Sequence, residues 1–114
     1  MSDAATILAR LMDVIDERKA QPSETSYTCR LLAGGVPKIG EKIVEEAAEV
    51  VEAAGEAGEQ GREHLVREAA DLVYHLLVML ACRDVRLEDV EAELARRFGI
   101  SGLEEKASRT QEKK

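Results

Sequence analysis

The 114-residue sequence has no tryptophan, one phenylalanine, two tyrosines and only two prolines. Such scarcity, beside abundant Leu, Ala, Glu, Val and Arg, argues against sheet and for helix. The two cysteines, Cys29 and Cys82, stand far apart and outside any CxxC pair, which suggests neither a disulfide framework nor a zinc site and fits a reduced, cytoplasmic setting. The longest apolar stretch, Leu72 to Cys82, is interrupted by His75 and falls well short of the roughly 20 residues a membrane span needs. The first ten residues carry Asp3 and lack the apolar core and cleavage site of a secretory signal. A soluble protein with no membrane partner is expected.

Positive charge is also in short supply. The net charge is −7, and between Glu41 and Asp71 ten acids face three bases, so the whole excess sits in the middle of the chain. That field repels a nucleic-acid backbone and attracts cations, so no nucleic-acid partner is expected, and a polyanionic substrate there requires a metal.

What is present is helical periodicity over one domain's length. A first helix is expected from about Asp3 to Ala20, with Ile7, Leu8, Leu11, Met12 and Ile15 on one side and Pro22 closing it. A hydroxyl-rich loop, Ser23 to Thr28, leads to a short helical turn carrying Leu31 and Leu32, stopped by Gly34 and Gly35. Pro37 opens a third segment, Lys38 to about Ala57. The cluster Gly55, Gly58 and Gly61 then separates it from a fourth, about Arg62 to Arg83, its antiparallel neighbour. The last helix, Leu87 to Phe98, ends at Gly99 as a left-handed cap. The reading is an all-α antiparallel bundle of four to five helices in a single domain, residues 1–109, with a disordered tail at 110–114.

Angular projection at about 100° per residue locates the chemistry. On the third segment the apolar face is Ile39, Ile43, Ala47, Val50 and Ala54, and Glu46 projects within that arc. Glu41, Glu45, Glu52 and Glu56 form an outer acidic stripe with Glu49 at its boundary. The fourth segment is apolar nearly all round from Ala69 to Cys82, so its exceptions matter: Glu68, Asp71 and His75 leave on one side. Unpartnered buried carboxylates cost several kcal/mol, and the nearest partners here are also acids. A hard divalent cation resolves this, because magnesium prefers carboxylate oxygens and water. ExxE on one helix, Glu46 with Glu49, facing ExxD on the next, Glu68 with Asp71, supplies four ligands and leaves positions for phosphate oxygens.

The string Glu45, Glu46, Ala47, Ala48, Glu49, then eighteen residues, then Glu68, Ala69, Ala70, Asp71 resembles the EExxE and ExxD signature of the all-α, MazG-like nucleotide pyrophosphohydrolases. More narrowly, SYTCRLLAGG at Ser26 to Gly35, KIGEKIVEEAAEV at Lys38 to Val50, EAADLVYHLLVML at Glu68 to Leu80 and RFGISGLEEKASR at Arg97 to Arg109 resemble the phosphoribosyl-ATP pyrophosphohydrolase family. The resemblance implies magnesium-dependent hydrolysis of phosphoribosyl-ATP to phosphoribosyl-AMP and pyrophosphate, in histidine biosynthesis, by a cytoplasmic dimer. It also implies Glu46, Glu49, Glu68 and Asp71 as metal ligands, with Glu45 the extra acid of the signature. Independently, the all-round apolarity of the fourth segment calls for a second subunit to complete the core, as a homodimer or higher homo-oligomer.

Other residues admit two readings each. Glu45 is either the base that takes a proton from water or part of the solvated stripe. His75 either orients Asp71 or contacts phosphate, or is a satisfied core histidine. Lys38 and Lys42, set where a helix dipole disfavours cations, suit a bound anion or plain solvation. Ser26, Tyr27 and Thr28 offer hydroxyls to ribose or phosphate, or cap a helix. Arg97, Lys106 and Arg109 could fold over the site to meet the second phosphate-bearing ribose. Two rival functions share parts of this pattern: a house-cleaning nucleoside triphosphate pyrophosphohydrolase of the same superfamily, and a non-catalytic helical interaction protein with a merely solvated acidic face. A di-iron carboxylate bundle would need ExxH, which the two pairs lack.

Overall fold

A computed structural model describes residues 6–99. Four α-helices follow in order: α1 Ile7–Ala20, α2 Tyr27–Ala54, α3 Gly58–Cys82 and α4 Leu87–Phe98, with no strand among the described residues. The chain is all-α, as its composition leads one to expect. Among the described residues, no helix is long and apolar enough to cross a membrane. The chain divides into two compact units, one through Asp84 holding α1, α2 and α3, the other from Val85 onward holding α4.

Each boundary has a local cause. Thr6 caps α1 by accepting the Ala9 N–H, at 3.1 Å, and Ser26 caps α2 by accepting the Cys29 N–H, at 3.2 Å. Within α2 the helical path breaks at Gly35, whose φ of 72° is left-handed, and resumes with Pro37 in its first turn. There the missing proline N–H costs nothing. The expected stop at the glycine pair is therefore present as a break between two helical segments. α4 spans the predicted residues and closes at Gly99, φ 65°.

The start of α3 departs from expectation. It begins at Gly58 rather than near Arg62, because Gly58 takes φ 76° and turns the chain early, which leaves Gly61 inside the helix. Gly61 is buried, and a Cβ on it would run into the backbone carbonyl of Glu56. The hairpin is closed by that approach.

α2 and α3 make the main helix–helix interface of the first unit, and their register is antiparallel: Gly40 lies by Met79, Glu46 by Asp71 and Glu56 by His64. Met12 and Ile15 of α1, Leu31 and Ile39 of α2, and Leu77 and Val78 of α3 are buried. Lys19 of α1 ties that helix to the end of α3, donating at 2.7 Å to the Ala81 carbonyl and at 2.7 Å to Asp84 Oδ1.

The predicted face of α2 needs one correction. Ala47 and Ala54 are exposed, and the residues that turn inward are Ile39, Ile43, Glu46, Val50 and Ala53. A helix broken at Gly35 takes its rotation from packing on α3, not from the sequence average, and the inward stripe is displaced by about one residue. Glu46 remains within it.

Candidate metal and phosphate site

The antiparallel register brings three of the four acids of the two pairs, Glu46, Glu68 and Asp71, to one place, and Glu49 falls outside that trio. One carboxylate oxygen each from Glu46, Glu68 and Asp71 lies within 4.8 Å of the others, and among the described residues this is the one cluster of metal-ligating side chains of that kind. Glu46 and Glu68 are half-buried, Asp71 exposed. Among the described residues, the buried side-chain oxygens lacking any hydrogen-bond partner are Glu46 Oε1 and Glu68 Oε1. An ionised carboxylate oxygen withdrawn from water and left unpaired is costly. That two stand in the same cluster is what a site for a hard cation provides, and the donor set of carboxylate oxygens suits magnesium.

Glu49 is the fourth acid. Its carboxyl lies against that of Glu68, and the hydrogen-bond contact with Glu68 and the like charge there push it above the usual carboxylate range. A divalent ion would relieve that repulsion. Glu45, one residue before Glu46, points outward, pairing with Lys42 at 3.4 Å and adding to the negative field at Glu49. Lys42 is held above its ordinary pKa by Tyr27 and by Glu45. Lys38 is exposed and lays its side chain along Gly34.

Behind the acids runs an aromatic cluster. The Tyr27 hydroxyl is 3.2 Å from His75 Nε2, and His75 Nδ1 is 2.9 Å from the Asp71 carbonyl oxygen. Because a carbonyl only accepts, His75 Nδ1 carries a hydrogen and donates it to the Asp71 carbonyl, while Nε2 pairs with the Tyr27 hydroxyl. His75 is 5% exposed, with both nitrogens engaged. Thr28 Oγ1 hydrogen-bonds the Tyr74 hydroxyl, and the Tyr27 and Tyr74 rings stack at 6.3 Å. Ser26 serves as the α2 cap. Tyr27 and Thr28 are thus held against Tyr74 and His75 of α3, while Arg97 lies on α4 in the other unit, bonded to Glu93 at 2.8 Å. Lys106 and Arg109 lie outside the described residues.

Sequence reasoning missed His64 and put Glu56 only on the solvated stripe. His64 Nδ1 is 3.0 Å from Glu56 Oε1, and its Nε2 is 3.3 Å from Glu68 Oε2. The hydrogen bond to Glu56 chiefly holds its pKa above the ordinary histidine value. The spacing of four residues between His64 and Glu68 is visible in the sequence, yet such pairs are common on exposed helices. A separate cavity of about 240 Å³ at the end of α1, bordered by Arg18, Cys29 and Cys82, includes none of these acids.

Residues 8–98 match the family model described as phosphoribosyl-ATP pyrophosphohydrolase. A phosphoribosyl-ATP pyrophosphatase of Rhodopirellula baltica is 50% identical over 113 residues, covering 99% of this chain and 94% of that one. Enzymes of the same name from Paracoccus denitrificans and Geobacter metallireducens are 58% identical over 104 residues and 48% identical over 112; they cover 91% and 98% of this chain, and 94% and 100% of their own lengths.

Proposed function

The chain belongs to the phosphoribosyl-ATP pyrophosphohydrolase family, and from that membership we propose that it hydrolyses phosphoribosyl-ATP to phosphoribosyl-AMP and pyrophosphate, the second step of histidine biosynthesis, with magnesium. What supports the metal reading is the pair of buried, unpartnered oxygens, Glu46 Oε1 and Glu68 Oε1, in one cluster with Asp71.

Glu46, Glu49, Glu68 and Asp71 would hold the ion. Magnesium there would supply charge neutralisation for adjacent phosphates, a better pyrophosphate leaving group and a lowered pKa for a water nucleophile. The protein's part is to place and orient. Glu46 and Glu68, each fixed on a packed helix, present oxygens that no other protein group claims. Glu45 is the base, able to accept a proton once its Lys42 partner turns to a phosphate. Lys38 and Lys42 supply positive charge to an otherwise acidic surface, which lets a polyphosphate approach. Ser26, Tyr27 and Thr28 are candidates for ribose contacts, with Tyr27 oriented by His75. Arg97, Lys106 and Arg109, from the polar end of the sequence, are assigned to the second phosphate-bearing ribose. Water attacks the α-phosphorus or its neighbour.

A single domain over residues 1–109, a cytoplasmic location and a homodimer or higher homo-oligomer complete the reading. The exposed Val44 and Val51 of α2 and Val66 and Leu76 of α3 support an oligomer, since they leave apolar surface uncovered on both helices of the hairpin.

The decisive assay follows pyrophosphate release from phosphoribosyl-ATP with and without magnesium, repeated for Asp71→Asn and beside a panel of dNTPs. We expect turnover only with magnesium and a loss of about 10²-fold or more in D71N. Faster hydrolysis of the dNTPs would overturn the substrate assignment in favour of a house-cleaning enzyme.

A further inference from the structure

Glu68 divides its two oxygens between different neighbours. Oε1 is buried and unpartnered, whereas Oε2 lies 3.3 Å from His64 Nε2. The other ring nitrogen, Nδ1, lies 3.0 and 3.1 Å from the two oxygens of Glu56. The ring therefore stands between two carboxylates, Glu56 beyond the end of α2 and Glu68 on α3. The Glu68 side chain is only 14% exposed, which sets this contact apart from an ordinary solvated i, i+4 ion pair.

We propose that His64, itself anchored by Glu56, is a positioning residue for Glu68: it clamps Oε2 and thereby aims Oε1 into the carboxylate cluster. The proposal rests on the metal reading above and deepens it. A carboxylate free to rotate offers either oxygen, or both, in many orientations. One held by a ring that is in turn held by a second carboxylate offers one oxygen in one direction. The Glu56–His64 link also spans the α2–α3 turn, from just beyond the end of α2 to the second turn of α3. Metal affinity is thereby tied to closure of the hairpin.

The test is manganese binding, read by electron paramagnetic resonance on the full chain without nucleotide. It compares the unsubstituted protein with His64→Ala, His64→Gln and Glu56→Ala. Loss of an outer partner of a ligand weakens metal binding about ten- to a hundredfold, and that is expected for H64A. H64Q, whose amide N–H can reach Glu68, should recover most of the affinity, and E56A should show a smaller, severalfold loss. A merely structural role would leave H64Q no better than H64A. H64A binding manganese as tightly as the unsubstituted protein overturns the proposal alone. Should H64A fail to fold, E56A decides, since unchanged affinity there overturns it equally. An unsubstituted protein that binds no manganese removes the metal reading itself and this inference with it.

Discussion

The Lys19 ammonium lies 2.7 Å from Asp84 Oδ1 and, on its other side, 2.7 Å from the carbonyl of Ala81. It joins the last turn of α1 to the last turn of α3, where free carbonyls concentrate negative charge. Asp84 itself takes φ 58°, in the left-handed region that ends the helix, and Lys19 draws its carboxyl pKa below the ordinary value.

Lys19→Met should therefore unfasten α1 from the hairpin. The expected result is a fall of about 5 °C in Tm, the size produced by losing roughly one net interaction in a domain this small. Asp84→Asn, which keeps the left-handed conformation and removes only the charge, should cost less. Equal melting temperatures for K19M and the unsubstituted protein would show that the contact contributes nothing.

Gly61→Ala places a methyl against the Glu56 carbonyl oxygen. Overpacking costs about 1–3 kcal/mol, and the gain in helix propensity returns about 1 kcal/mol, so a net loss is expected in urea unfolding. Metal affinity should fall with it, since the same backbone carries the Glu56 anchor of His64.

Glu49 provides a titration that reports on the cluster. Its folded pKa is raised by Glu68, so at neutral pH the ionised carboxyl opposes folding, and that penalty is relieved as pH falls through the raised value. Added magnesium should move its NMR titration below the value seen without the ion. Glu46→Gln should abolish most of that shift. It should also remove the magnesium-dependent rise in stability, about 2.7 kcal/mol at a hundred times Kd for a protein that binds only when folded. No magnesium effect on either quantity would count against the ion.

Glu93 on α4 sits 2.6 Å from Arg96 and 2.8 Å from Arg97, which lower its pKa to about 2. A depressed acid contributes stability above its unfolded value, near 4.5, that is lost as pH falls through about 2. Carboxylate NMR should place the midpoint near 2 at low salt and bring it back toward 4.5 in about 1 M salt, because exposed pairs are screened. An unshifted midpoint at low salt would refute the pairing.

Glu46 shows how much was legible before folding. Its place within an apolar arc follows from 3.6-residue periodicity, a local property of the chain, and the structure keeps it half-buried there. The neighbouring Ala47 and Ala54 were misplaced for a related reason: periodicity yields spacing well and absolute rotation poorly once a break such as Gly35 uncouples two segments.

His64 and Glu56 lie at the opposite limit. Eight residues and a turn separate them, and no helical period relates them. The sequence alone determined the all-α class, the two acidic pairs, their i, i+3 spacing and the family, because each depends on neighbours within one helix or on matched strings of residues. Only the tertiary structure decided which oxygens lose water, that Glu68 has a clamp, and which residues of α2 turn inward. Those depend on the register of α2 against α3, which the close backbone approach at Gly61 sets across the turn.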